Sequence, residues 1–169
     1  ANNGVLKITN ITNNLSINGA NSKVGGVVGY VENSTFECSQ FTVNTNQFAI
    51  NGNSYIGAIA GKTYNSGFSI SDVSINHIMT EQDKDVLVIY ATNQFVGGII
   101  GCAEQCKESS LSNVLVRTSV GSSGTGSDSY TGKYVGGLIG YCNTSNKIDI
   151  CNTKISGQVK GYGYVGGFI

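Results

Sequence analysis

The sequence predicts an all-β fold, a right-handed parallel β-helix (β-solenoid) of about five rungs built from repeats of 30–40 residues. Three observations predict it. A glycine-centred motif returns five times, a second motif of alternating apolar residues follows the copies, and no segment shows the 3.6-residue apolar period of a helix. With 24 glycines and no proline among short Val and Ile runs, the glycines read as tight β packing rather than flexible linker.

The first motif appears as Val24-Gly25-Gly26-Val27-Val28-Gly29 and as Ile56-Gly57-Ala58-Ile59-Ala60-Gly61. It returns as Val96-Gly97-Gly98-Ile99-Ile100-Gly101, as Val135-Gly136-Gly137-Leu138-Ile139-Gly140, and in part as Val165-Gly166-Gly167-Phe168-Ile169. Its leading glycines are spaced by 32, 40, 39 and 30 residues. A unit near 30 residues cannot bury its own apolar face, so stacked copies must bury it together. Equivalent residues then lie about 4.8 Å apart, with Val24, Ile56, Val96, Val135 and Val165 in one interior ladder.

The second motif includes Phe36-x-Cys38-Ser39-Gln40-Phe41-x-Val43 and Phe68-x-Ile70-Ser71-Asp72-Val73-x-Ile75. Leu111-Ser112-Asn113-Val114 and Ile150-Cys151-Asn152-Thr153 continue it, and Ile8-Thr9-Asn10-Ile11 is a degenerate opening copy. Each polar pair shifts the period-2 alternation by one residue. Such a shift means a bend that returns the later apolar residues to the same interior. Asn10, Gln40, Asp72, Asn113 and Asn152 form the polar ladder at that bend. A weaker third element precedes the glycine motif: Ile17-Asn18-Gly19, Ile50-Asn51-Gly52 and Val88-x-Tyr90, with Asn-Gly as a turn signal. The repeats then run 1–22 (partial), 23–54, 55–94, 95–133, 134–163 and 164–169 (partial), one solenoid segment open at both ends. Extra residues at 77–84 and 121–132 lengthen two of them.

The glycines at 25, 26, 57, 97, 98, 136, 137, 166 and 167 admit two readings. Gly25, Gly26, Gly57, Gly97, Gly98, Gly136, Gly137, Gly166 and Gly167 relieve a tight corner against neighbouring backbone, or they form a flat outer strip that mates with another chain. The run Gly137-Leu138-Ile139-Gly140 resembles the GLUG repeat of bacterial and protist surface proteins, whose core is Gly-Leu-x-Gly beside Val-Gly-Gly. Gly98-Ile99-Ile100-Gly101 and Gly26-Val27-Val28-Gly29 match it with other aliphatics, while Ala58-Ile59-Ala60-Gly61 departs at the first glycine. The resemblance implies a large secreted or surface-anchored, adhesin-like protein and carries no catalytic residues.

Candidate chemistry is sparse. Cys102, Cys106, Cys142 and Cys151 flank corresponding turns, which suggests staples Cys102–Cys106 and Cys142–Cys151. A rung-to-rung bridge from Cys102 to Cys142 and reduced buried thiols are the alternatives, and Cys38 occupies an apolar ladder position as a free thiol. Among the Asn-x-Ser/Thr sequons, Asn33 and Asn143 lie in equivalent turns and are the glycosylation candidates. The one histidine, His77, lies in a long connection and reads as a surface residue. Glu81-Gln82-Asp83-Lys84-Asp85 reads as a solvated loop rather than a calcium site. No metal, cofactor or catalytic set is predicted, since acids are scattered and Arg117 is the only arginine.

Zero net charge without a basic cluster argues against nucleic acid, and no apolar run is long enough to span a membrane. The functional expectation is a non-enzymatic structural or adhesive repeat segment of a larger extracellular or cell-surface protein, with self-association, filament formation or neighbouring repeats as its partnership. Loop-mediated binding of a glycan or surface protein is the alternative, with Tyr30, Tyr55, Tyr64, Tyr130, Tyr134 and Tyr141 available for stacking. A solenoid carbohydrate-active enzyme is the remote third.

Overall fold

One parity of each apolar run must leave water, and a single chain wound on itself gives all of them the same interior. The computed structural model describes residues 3–14, 16–77, 88–122 and 134–169. The chain enters through β1 (Val5–Thr12) and winds through turns of three strands. The first is β2 (Ser16–Gly25), β3 (Val28–Glu32) and β4 (Thr35–Asn44). The second is β5 (Ala49–Gly57), β6 (Ala60–Tyr64) and β7 (Gly67–Asn76), and the third is β8 (Ile89–Gly97), β9 (Ile100–Glu104) and β10 (Ser109–Arg117). The fourth has a split first strand, β11 (Val120–Ser122) and β12 (Tyr134–Gly136), followed by β13 (Ile139–Asn143) and β14 (Ile148–Ile155). β15 (Val159–Lys160) and β16 (Tyr164–Gly166) begin another turn.

Each turn adds one strand to each of three parallel sheets. Sheet A is ordered β1-β4-β7-β10-β14 and sheet C is β3-β6-β9-β13. Sheet B runs β2-β5-β8, after which β11 and β15 extend one half of β8, and β12 and β16 the other. This is a parallel β-solenoid. The repeat boundaries at 23, 55 and 95 fall inside β2, β5 and β8, so the structural turn starts at the head of the same strand, before the sequence repeat.

The interior is a set of like-on-like ladders. Val24, Ile56, Val96, Val135 and Val165 hold one register position in sheet B, as their spacing predicts. In sheet A, Phe36 stacks on Phe68, and Cys38, Ile70 and Leu111 share a register. Phe36, Phe41, Phe48, Ile56, Ile70 and Ile99 are fully buried in one continuous core. Each such side chain stabilises the fold by about 1.5–3 kcal/mol. Buried hydroxyls occupy the corner from sheet C to sheet A. Ser66 Oγ accepts from the Ser34 amide at 3.1 Å and donates to the Tyr64 carbonyl at 2.7 Å, so it carries no unmet polar group into the core.

Two further turns of the chain depend on special backbone. At the bend in sheet A, Asn10, Gln40, Asp72, Asn113 and Asn152 all have φ between 48° and 56°, the left-handed conformation. That one residue per rung causes the phase shift seen in the sequence. At the corner from sheet B to sheet C the backbone comes too close to other backbone for a side chain. A Cβ on Gly97 would meet the Ile100 carbonyl oxygen, and one on Gly98 the Gly137 carbonyl oxygen of the next rung. The glycine corner is therefore buried within the molecule, and Gly97, Gly98, Gly136 and Gly137 are not an outer strip.

Three sequence expectations are corrected. Asn18-Gly19 and Asn51-Gly52 are not turns but lie within β2 and β5, where the strand pairing shifts register. The third element aligns through Ile17, Ile50 and Ile89, not through Tyr90, which pairs with Asn51 on the outer side. His77 is 6% exposed rather than on the surface, with its Nε2 3.2 Å from the Asn46 carbonyl oxygen.

Candidate functional site

The densest array of chemically distinctive side chains lies where the outer faces of sheets B and C meet. Its first column is the residue preceding each Val or Ile of the glycine motif: Lys23, Tyr55, Phe95, Tyr134 and Tyr164. Because these residues share one register, their rings stack from rung to rung. Centroids are 4.9 Å apart for Tyr55–Phe95, 5.2 Å for Phe95–Tyr134 and 4.9 Å for Tyr134–Tyr164, with interplanar angles of 21°, 12° and 11°. Tyr141, from the adjacent strand β13, closes on this stack edgewise, 4.9 Å from Tyr134 and 5.1 Å from Phe95.

The second column, on sheet C, is Tyr30, Lys62, Cys102 and Tyr141. Lys62 Nζ lies 2.8 Å from Glu104 Oε2, 4.9 Å from the centre of the Tyr55 ring and 5.7 Å from that of Tyr64. Lys23 sits 4.1 Å over the Tyr30 ring. Burial acts to lower the Lys62 pKa, but the hydrogen bond and charge of Glu104 more than offset it, and the net shift is upward. Burial, then the Glu104 carboxylate, pushes the Cys102 thiol far up, and its Sγ donates to Glu104 Oε1 at 3.5 Å. The Tyr30 phenol is also raised, by burial and then by Glu32. At neutral pH Lys62 therefore stays an ammonium, Cys102 a thiol and Tyr30 a phenol. None of these is a nucleophile or base, and the ring faces are largely spent on one another. Chemically the array rigidifies the corner and presents ring edges.

The cysteines are all free thiols. The register explains why the proposed staples do not form. Cys102 pairs with Tyr141, so Cys142 is one residue out of step and faces the core instead. Cys106 lies at the inner corner, 3.5 Å from Thr63 Oγ1, whereas Cys102 shares the outer face with Glu104. Cys142 and Cys151 belong to different sheets, and Cys151 is exposed. Cys38 is a buried free thiol, as its ladder position predicts.

Both sequon asparagines lie at the start of the corner from sheet C to sheet A. Asn33 adopts φ 50° and its Oδ1 accepts from Asn65 Nδ2 at 2.7 Å, while Asn143 ends β13 and is exposed. Glu81 to Asp85, Tyr130 and most of both long connections lie outside the described residues. Among the described residues, no three His, Cys, Asp or Glu side chains converge as a metal site, and no helix is long and apolar enough to cross a membrane.

Sequence reasoning missed Phe95, Lys62, Glu104 and Tyr164 as parts of this array. The available signal was the aromatic residue that precedes the motif in four of its five copies. No family model, curated protein or solved structure matches the chain, so the class defined here is that of the fold, a parallel β-solenoid.

Proposed function

We propose that this chain is a structural and adhesive repeat segment, a length of stiff stalk within a larger extracellular or cell-surface protein of the GLUG-repeat kind. The observation that carries the reading is the continuity of its ladders. Corner residues as well as strands bond from rung to rung, as in Ile59 N to Ile99 O at 3.0 Å and Ile99 N to Leu138 O at 2.9 Å. Amides on the outside repeat the pattern: Asn113 Nδ2 reaches Asp72 Oδ1 at 2.9 Å, and Asn152 Nδ2 reaches Asn113 Oδ1 at 3.3 Å. A fold whose cross-section is renewed at each turn resists bending and protease entry at every level and adds length with every repeat. The protonated forms of Lys62, Cys102 and Tyr30 support a non-catalytic role, and the resemblance of the glycine motif supports the surface location. Self-association or contact with neighbouring repeats is the partnership such a rod requires.

Electron microscopy of the native protein tests this. Rods, single or in filaments, whose length grows by about 4.8 Å per turn support the reading. Compact particles whose dimensions do not scale with repeat number would overturn it.

A further inference from the structure

Away from the aromatic array, the outer face of sheet B carries a groove of about 270 Å³ that crosses three rungs. One wall is Asn18, Asn51 and Tyr90, which share a register position on β2, β5 and β8. The other wall includes Asn53 and Thr92. The concavity has a backbone cause. At Gly52 the strand pairing shifts register, and an added Cβ would lie 2.8 Å from the Gly19 carbonyl oxygen and 2.9 Å from Ile56 Cδ1. The chain is thus drawn toward the core between the two walls.

The groove's amides differ from the bonded amide ladders elsewhere on the outer surface. Asn65, Asn76, Asn113 and Asn152 each donate to an Asn or Asp of the preceding rung. Asn18 and Asn51 are stacked in the same way, yet neither they nor Asn53, Thr92 and Tyr90 bond to any described side chain. Three amides, a hydroxyl and a phenol offer paired donors and acceptors beside the half-buried ring of Tyr90. Among the described residues no charged side chain lines the groove, so a charged ligand would lack a counter-ion among them. Vicinal hydroxyls with an apolar C–H face match this lining, because each hydroxyl both donates and accepts and the C–H face packs on an aromatic ring. The rung spacing of about 4.8 Å is close to the length of one sugar unit in an extended chain, so three rungs accommodate two or three units.

We propose that this groove binds a neutral oligosaccharide, a role that a stalk does not by itself require and that does not depend on the long connections. The test is an NMR titration of the ¹⁵N-labelled protein with cellotetraose, xylotetraose, mannotetraose and laminaritetraose, and with tetragalacturonate as the acidic probe. The expected result is saturable shifts of the Asn18, Asn51 and Asn53 side-chain amide signals with at least one neutral tetrasaccharide and weaker binding of tetragalacturonate. Tyr90→Ala then weakens binding by about tenfold. Because Tyr90 is half-buried, Asn53→Ala on the exposed lip serves as the second variant, with a severalfold loss and an unchanged backbone spectrum. The proposal is overturned by the absence of shifts at these amides with all four neutral probes, by equal or tighter binding of tetragalacturonate, or by unchanged affinity in both variants.

Discussion

At the scale of single residues, the five bend positions are one structural device filled with unequal chemistry. Asn and Asp tolerate the left-handed conformation because their short side chains bond locally, whereas Gln40, at φ 56°, has no such advantage. Gln40→Gly is expected to leave stability unchanged or raise it by up to about 1 kcal/mol, and Gln40→Val to lower it by roughly 1–2 kcal/mol, in urea unfolding. The thiols make a second residue-scale case. Burial raises the Cys38 pKa from 9.0 to about 11, and Cys106 likewise to about 11. A folded pKa above the unfolded one means that the contribution is complete below pH 9 and is lost as pH climbs through 11. Stability is therefore expected to be flat near neutrality and to fall above pH 9. Cys38→Ala should remove roughly 2 kcal/mol of that alkaline loss while starting from a lower baseline. A thiol titration separates free thiols from staples: one group, Cys151, should react rapidly in the native protein, and all five should react in denaturant. Fewer than five in denaturant, without reductant, would restore the disulfide reading.

At the scale of elements, register decides what neighbouring strands present. The aromatic column exists because each motif copy pairs in step with the next, so a ring at one position must meet the ring above it. Phe95 sits between Tyr55 and Tyr134 and touches Tyr141. Phe95→Ala should cost about 2–3 kcal/mol through three lost aromatic contacts, and Phe95→Tyr within about 0.5 kcal/mol, measured by urea unfolding. An equally small cost for both substitutions would show that ring stacking contributes little at this position. The same in-step pairing moved Tyr90 from its expected alignment with Ile17 and Ile50 to the outer wall of the sheet B groove. A one-residue slip reverses the face of every side chain, and the third element was too short and too polar for its alternation to set that phase. Asn-Gly misled for a related reason. It marks a sharp backbone feature, but here the glycine serves close approach inside a strand rather than a reversal between strands.

For the whole molecule, stability accumulates from rung-to-rung interfaces, so protection should be graded along the axis. β4, β7 and β10 are paired on both edges and carry Phe36, Phe41, Phe68 and Leu111, all buried. β1 and β14 are sheet edges, and the large exposed apolar side chains lie in the first strand and the final turn, among them Val5, Tyr164 and Phe168. Hydrogen exchange should be slowest in β4, β7 and β10 and fastest in β1 and β16. Uniform exchange would mean that the rungs unfold as one unit. The amino-acid sequence by itself determined the repeat, the parallel winding, the interior ladders and the polar bend. All four follow from local alternation and from the recurrence of like residues at a near-constant spacing. Cys38 was legible for the same reason, because one ladder position decides its burial. Only the tertiary structure decided which residues meet across strands. It brought Lys62 to Glu104, 42 residues apart, assembled the aromatic column, separated the cysteines onto different faces and buried His77. Side-chain facing depends on register between distant segments, and connections of unequal length leave that register open until the coils stack.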